Sequence, residues 1–150
     1  MCDFKLACQP KLYTLFRNSQ PFLPRHTNNP GACMGRLTTH VLDTAHGTPA
    51  AGMCLSLFRL DSGALRLVRR ISLDADGRAA APLLEGDEMS AGKYRLEFEL
   101  GAYFRSRGVD LPEPAFLDIV GVDFGIADPS VHYHVPLLAS PWSYSTYRGS

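Results

Sequence analysis

Apolar and polar residues alternate along most of the chain after residue 34, as they do in half-buried β-strands. In KYRLEFELG, the alternate residues from Tyr94 to Leu100 are apolar and those between them are charged. Turn sequences such as DSG, DADG and ADPS separate the strand-like segments, and only GAYFRSRG (101–108) predicts a short helix. The pattern predicts an all-β fold, an antiparallel Greek-key β-sandwich of seven to eight strands. The other predicted strands are LTTHVLDTA (37–45) and residues 52–60, 64–73, 116–126, 131–138 and 144–148.

The first 33 residues lack this alternation and contain four prolines, four basic residues and one acidic residue. This composition predicts a mobile N-terminal extension, residues 1–33, before a domain of residues 34–150. One alternative is a targeting peptide, although the apolar segment of a secretory signal is missing. Another is that Met34 is the natural start, since MGRLTTHVLD opens directly into patterned sequence. Both alternatives stay open.

The charge balance, the apolar stretches and the cysteine spacing each argue against particular classes of binding partner or site. Fifteen basic residues balance fifteen acidic ones, so no field is expected that would attract nucleic acid or an anionic membrane. No apolar stretch approaches the roughly 18 to 20 residues of a membrane helix. The four cysteines form no CxxC pair, which argues against a zinc finger or a disulfide framework. A cytoplasmic location is the default expectation, and an organellar or periplasmic one stays open.

Three histidines are placed where they could act together. His132 and His134 lie two residues apart in VHYHVPLL, so both imidazoles point to the same face of a strand. His40 lies in the first predicted strand. The pair fits a solvated face without function, a metal site with His40 as third ligand, or proton transfer by imidazoles whose ordinary pKa is about 6.5.

Arg78 follows the DADG turn, a rigid position from which a guanidinium could reach an oxyanion or a heterocyclic ring. Spacing alone is weak support, because an arginine after a turn is usually solvated. The chain ends in YSTYRGS, a strand-like run followed by small and charged groups. A terminus that is tied into a sheet would bring these groups to a fixed place, whereas most chain ends fray.

Several stretches resemble the 5-hydroxyisourate hydrolases of the transthyretin-like family: LTTHVLDTAHGTPAAG (37–52), DADGRAAAPLLEG (74–86) and FLDIVGVDFGIADPSVHYHVPLLASPWSYSTYRGS (116–150). The resemblance covers essentially all of residues 36–150. The terminal YRGS matches the ending of the enzymes in this family, which hormone-carrying transthyretin lacks. One departure is SLDADGR, where the family often has threonine and asparagine before DGR, but this leaves Arg78 in place.

The resemblance implies a hydrolase of urate (purine) degradation that opens 5-hydroxyisourate to 2-oxo-4-hydroxy-4-carboxy-5-ureidoimidazoline. It implies a homotetramer, a dimer of dimers with active sites in the channel between the dimers, and no cofactor or metal. The alternative is a transthyretin-like small-molecule carrier without catalysis. The implied catalytic residues are His40, Arg78, His132 and Ser150, and the implied substrate-binding residues are His40, Arg78, His134, Tyr147 and Arg148.

The same resemblance suggests a division of labour in the site. His132 is our first choice of base for the attacking water, with His134 assisting and His40 oriented by the Ser150 end. Arg78 would hold the substrate and stabilise the negative charge that develops on its oxygen. Tyr147 would contact the substrate ring. Ser150 as a covalent nucleophile is disfavoured, since no Ser-His-Asp set or GxSxG elbow would activate it.

Overall fold

The computed structural model describes residues 35–149. The predicted extension of residues 1–33 and the terminal Ser150 lie outside the described residues. Within residues 35–149, no helix is long and apolar enough to cross a membrane.

The described part of the chain is built mainly from short strands. A 3-10 turn covers Gly86–Glu88, and the one α-helix, α1, covers Leu100–Ser106. The strands in chain order are β1 (Arg36–Thr38), β2 (Val41–Asp43), β3 (Thr48–Pro49), β4 (Cys54–Asp61), β5 (Ala64–Ser72), β6 (Leu84–Glu85), β7 (Gly92–Phe98), β8 (Val120–Ile126), β9 (His132–His134), β10 (Leu137–Ala139) and β11 (Tyr144–Thr146).

One layer is a four-stranded antiparallel sheet in the order β5-β4-β7-β8. Its strands are the longest in the fold, and β7 and β8 alternate in burial as the sequence pattern predicts, whereas β5 has no buried residue. In β7, for example, Tyr94, Leu96 and Phe98 are buried while the residues between them are half-buried or exposed. The buried side chains of this sheet therefore form one half of the core.

The second layer contains the sheets β6-β1-β9 and β11-β10-β2-β3. The strand pairs β1–β9 and β2–β10 are parallel, so this layer is mixed rather than purely antiparallel. Backbone hydrogen bonds join the two sheets where their strands break: the Val135 amide donates to the Thr38 carbonyl at 3.0 Å, and the Leu137 amide donates to the His40 carbonyl at 2.9 Å. The two sheets therefore run on as one interrupted layer.

The hydrophobic core lies between these layers, and α1 packs against it. Leu37 and Val41 reach it from β1 and β2, and Leu137 from β10, all without exposed surface. Leu100 and Phe104 of α1 are equally buried. Burial of this many large side chains supplies the main stabilisation of the sandwich.

The predicted all-β class with one short helix is confirmed, and the main differences are breaks within predicted strands. Segment 37–45 forms β1 and β2 with His40 at the break, and segment 131–138 is broken at Pro136, which cannot donate to a sheet. Segment 116–126 is a strand only from Val120 onward. The two-residue strands β3 and β6 were not predicted, since so short a pairing leaves no periodic pattern.

Candidate active site

A polar cleft of about 460 Å³ opens beside β1 and β9. One wall is made by β1 and β9 and the other by the segment that follows the DADG turn. The charged or polar residues that line it include Arg36, Thr38, Arg78, His132 and His134, and residues 79–82 form its apolar edge.

The two histidines of β9 face this cleft together. Their ring centroids are 6.3 Å apart, and both side chains are half-buried. Tyr133 between them is buried on the opposite face, and its hydroxyl accepts the backbone amides of Ala127 and Asp128, both at 3.1 Å. The predicted orientation of the HYH pair is therefore confirmed, with Tyr133 fixing β9 against the preceding turn.

Thr38 lies between the two imidazoles. Parallel pairing of β1 with β9 places it opposite His134. Its hydroxyl Oγ1 is 2.8 Å from His132 Nε2 and 2.9 Å from His134 Nδ1. One hydroxyl therefore makes hydrogen bonds to both rings.

Arg78 is brought to the cleft by a tightly closed turn. The carboxylate of Asp74 accepts the backbone amides of Asp76 and Arg78, both at 2.9 Å, and the Asp74 amide donates to the Arg78 carbonyl at 2.8 Å. Gly77 has a φ of +68°, and its carbonyl accepts the Val41 amide at 2.9 Å. The turn is thus docked onto the start of β2.

His40 sits directly beside this turn. It lies in the break between β1 and β2, where it forms an isolated antiparallel bridge with Arg78. The side chain of His40 is half-buried, whereas Arg78 is exposed. The break in the first strand, which the sequence did not predict, is what lets the Arg78 turn pair at this position.

All three imidazoles are biased toward the neutral form. Burial lowers the pKa of His134, and the nearby Arg78, His132 and His40 lower it further, against a backbone hydrogen bond of Thr38 that raises it. Burial followed by the charge of Arg78 lowers the pKa of His40. Burial followed by the charge of Arg36 lowers the pKa of His132. Neutral imidazoles at neutral pH are able to accept a proton from water.

The terminal segment packs against the back of this site. The Gly149 amide donates to the His134 carbonyl at 2.9 Å. A Cβ on Gly149 would lie 2.6 Å from His134 Cδ2, so only glycine lets the backbone approach the ring this closely. The guanidinium carbon of Arg148 lies 5.0 Å from the centre of the Tyr133 ring, a cation–π contact.

The structure brings together four of the predicted site residues. Arg78, His132 and His134 line one cleft, and His40 is bridged to Arg78. Tyr147 and Arg148 instead line a neighbouring cleft of about 320 Å³ on the other side of His134. Their predicted contacts with substrate stay predictions, and the predicted role of Ser150 falls outside the described residues.

Sequence reasoning missed Thr38 and Arg36 as site residues. Thr38 shares a strand face with His40 in TTH, which was the available signal. Its contact with His132 and His134, however, depends on the parallel pairing of segments more than 90 residues apart. Among residues 35–149, no group of three or more histidine, cysteine, aspartate or glutamate side chains is placed to hold a metal ion.

Known proteins show the same combination of sequence and fold. The model of the HIUase/Transthyretin family matches residues 37–149. The chain belongs to this family. A 5-hydroxyisourate hydrolase of Ralstonia nicotianae is 56% identical over 117 residues, which are 78% of this chain and 100% of that protein.

Solved structures of family members confirm the transthyretin-like fold. A crystal structure of (S)-allantoin synthase has a TM-score of 0.74 and 46% identity, and the match covers 79% of this chain but 44% of that longer chain. Sea bream transthyretin in complex with thyroxine has a TM-score of 0.69 and 29% identity, covering 76% of this chain and 94% of that one. The matched proteins therefore include a 5-hydroxyisourate hydrolase and a transthyretin that was solved with thyroxine.

Proposed function

We propose that this chain hydrolyses 5-hydroxyisourate to 2-oxo-4-hydroxy-4-carboxy-5-ureidoimidazoline. The observation that carries the proposal is one cleft in which Arg78 lies with His132 and His134, two imidazoles whose pKa values are lowered. The curated hydrolase of Ralstonia nicotianae, matched over its whole length, supports the same activity. A carrier needs no such cluster of proton acceptors.

The reaction opens a cyclic amide, and the site offers a group for each of its demands. A neutral imidazole takes a proton from the attacking water as the oxygen bonds to the ring carbonyl carbon. Arg78 stabilises the negative charge on the carbonyl oxygen, because a preorganised cation costs no reorganisation during the reaction. When the carbon–nitrogen bond breaks, the leaving ring nitrogen takes up a proton.

The environment of the imidazoles favours His134 as the base nearest the reacting centre. Arg78 and His40 both act on its pKa, whereas Arg36 is the charge that acts on His132. His134 also contacts Gly149 of the terminal segment. We therefore place His134 beside Arg78 and give His132 the adjoining position, which exchanges the roles expected from the sequence.

The active form is proposed to be a homotetramer with sites between dimers. The resemblance to the transthyretin-like family implies this assembly. The chain also leaves aromatic side chains exposed on and beside β11, with Trp142 55% exposed and Tyr147 58% exposed. Light scattering during size-exclusion chromatography should give a mass of four chains, and a monodisperse monomer with full activity would contradict the proposal.

Substitutions in the cleft test the proposed function. Arg78→Ala and His134→Ala should each lower kcat/KM for 5-hydroxyisourate roughly 10²-fold or more, because they remove the charge stabilisation or the base. The measurement is the ultraviolet decay of freshly generated 5-hydroxyisourate. Arg66→Ala is the matched control, since Arg66 on β5 is exposed and pairs with Asp61. Wild-type decay rates with both cleft variants would contradict the proposal.

The same preparation distinguishes the hydrolase from a carrier. Thyroxine is the appropriate probe, because the sea bream relative was solved with it. A chain that binds thyroxine tightly and leaves 5-hydroxyisourate decay at the buffer rate would be a carrier.

A further inference from the structure

The hydroxyl of Thr38 is shared between two imidazoles, and this restricts where their protons can lie. A threonine hydroxyl has one proton to donate and lone pairs to accept with. It is 2.8 Å from His132 Nε2 and 2.9 Å from His134 Nδ1, distances typical of full hydrogen bonds. Both bonds can form only if the hydroxyl donates to one ring nitrogen and accepts a proton from the other.

A competing arrangement is weaker. The Thr38 hydroxyl could donate to the Tyr133 carbonyl and accept from both rings, but that oxygen is 3.5 Å away. Hydrogen bonds weaken at that distance, so the hydroxyl proton is expected between Oγ1 and an imidazole. The two remaining arrangements give both rings the same tautomer, with the proton either on both Nε2 atoms or on both Nδ1 atoms.

We propose that Thr38 is a positioning residue that couples the tautomers of His132 and His134. The ring nitrogens that do not contact Thr38 are His132 Nδ1 and His134 Nε2, and one of them carries a proton when the other does not. When both rings carry Nδ1–H, His134 Nε2 is free to accept a proton and His132 Nδ1 has one to give. When both carry Nε2–H, these roles are exchanged. This inference rests on the proposed hydrolysis and adds a path for its proton.

Over one hydrolysis, this path carries one proton from the attacking water to the leaving nitrogen. Water gives a proton to His134 Nε2 as its oxygen bonds to the carbonyl carbon. The Nδ1 proton of His134 passes to Thr38 Oγ1, and the hydroxyl proton passes to His132 Nε2. His132 Nδ1 then gives its proton to the leaving nitrogen as the carbon–nitrogen bond breaks. Both rings end as Nε2–H tautomers, and proton exchange with solvent restores the first state.

Strand pairing and close packing hold Thr38 and the His134 ring in this arrangement. Thr38 and His134 are opposite each other in the β1–β9 ladder, so the hydroxyl is fixed by backbone pairing. The opposite side of the His134 ring is covered by Gly149, whose Cα approaches too closely for any Cβ. The ring therefore has little freedom to turn its Nδ1 away from Thr38.

Thr38→Val and Thr38→Ser test the coupling in the full-length chain. Valine keeps the shape and removes the hydroxyl, so kcat should fall roughly tenfold to a hundredfold with KM nearly unchanged. Serine keeps the hydroxyl and should restore kcat to within about threefold of wild type. Thr44→Val is the matched control, since that hydroxyl donates to the Ala139 carbonyl on β10. A wild-type kcat for Thr38→Val, or equal losses in the valine and serine variants, would overturn the proposal.

Imidazole ¹⁵N chemical shifts provide a readout that does not depend on catalysis. Above the pKa values of both rings, His132 and His134 should show the same tautomer in the wild type and lose this match in Thr38→Val. Different tautomers in the wild type would overturn the coupling even if hydrolysis is confirmed. If the wild type leaves 5-hydroxyisourate decay unchanged, the proposed function fails while the ¹⁵N shifts still decide whether the rings are coupled.

Discussion

The charge of Arg78 adds to burial in lowering the pKa values of two of the three imidazoles, His40 and His134. Burial is the largest cause of the lowered pKa values of His40 and His134, and Arg78 is the next in both cases. An imidazole with a pKa below 6.5 stays neutral at neutral pH and is lost as a base only when the pH falls through that lowered value. The acidic limb of the wild-type pH–rate profile should therefore lie below the ordinary imidazole pKa of about 6.5.

Arg78→Gln should move this acidic limb. Removing the guanidinium raises the pKa values of His40 and His134 toward the ordinary value, so protonation begins at higher pH. The residual kcat/KM of the variant should start to fall at a higher pH than that of the wild type. The pH profile of 5-hydroxyisourate decay measures this, and an acidic limb at the wild-type pH would show that Arg78 does not act on the imidazoles.

At the scale of elements, two broken strands and a chain end build the site. The break after Thr38 exposes His40 to the Arg78 turn, and the break at Pro136 separates the HYH strand from β10. The terminal segment then joins β9 through the Gly149–His134 bridge.

Gly149→Ala should damage activity through this terminal element. The new Cβ would lie 2.6 Å from His134 Cδ2, so either the ring or the end of the chain must move. Misplacing a catalytic ring by about 1 Å can reduce kcat/KM by roughly tenfold to a hundredfold. The melting temperature should change little, because residues 142–148 of this segment are exposed.

Gly121→Ala on β8 is the control for this substitution. A Cβ there would make an ordinary contact of 3.6 Å with Arg95, so its rate should match the wild type. Equal 5-hydroxyisourate decay rates for Gly149→Ala and wild type would show that the close contact with His134 is not required.

The sequence predicts elements better than it predicts their contacts. The period of two in β7 reflects burial of alternate residues, a local property, and so predicts the strand correctly. The shared face of His132 and His134 follows from the same period. The position of Thr38 between the rings depends on parallel pairing of β1 with β9, which no local pattern encodes. The convergence of His40 with Arg78 was expected from family resemblance, not from spacing.

At the scale of the described domain, a buried carboxylate ties α1 to the second layer. Asp43 at the end of β2 is 1% exposed. Its carboxylate accepts hydrogen bonds from the His46 ring Nδ1 at 2.6 Å and from the backbone amides of Ala45 and His46 at 3.0 Å. It also accepts a hydrogen bond from the Tyr103 hydroxyl of α1 at 3.0 Å. Burial alone would raise the pKa of Asp43, but the hydrogen bonds from His46 and Tyr103 outweigh it and hold the pKa low.

The stability of the fold should depend on pH through this cluster. A carboxylate with a lowered pKa stabilises the folded state above its unfolded pKa of about 3.9, and the contribution is lost as the pH falls through the folded value. Burial and the bond to Asp43 raise the pKa of Tyr103 to about 12, so its contribution is lost only in strong alkali.

Asp43→Asn should therefore lower the free energy of unfolding by about 1 to 3 kcal/mol at pH 7, since it weakens several buried hydrogen bonds. The difference from wild type should shrink below pH 4. Urea unfolding at several pH values measures both effects. A difference that stays constant down to pH 2 would show that Asp43 is not held ionised in the folded chain.

Neutral imidazoles and Arg78 in one cleft are expected to accelerate the opening of 5-hydroxyisourate. The most direct measurement is the first-order ultraviolet decay of freshly generated 5-hydroxyisourate at pH 7, with and without the purified full-length wild-type chain. We expect decay that is faster than in buffer, rises in proportion to the enzyme concentration and saturates with substrate. Decay at the buffer rate from a folded, monodisperse preparation would contradict it.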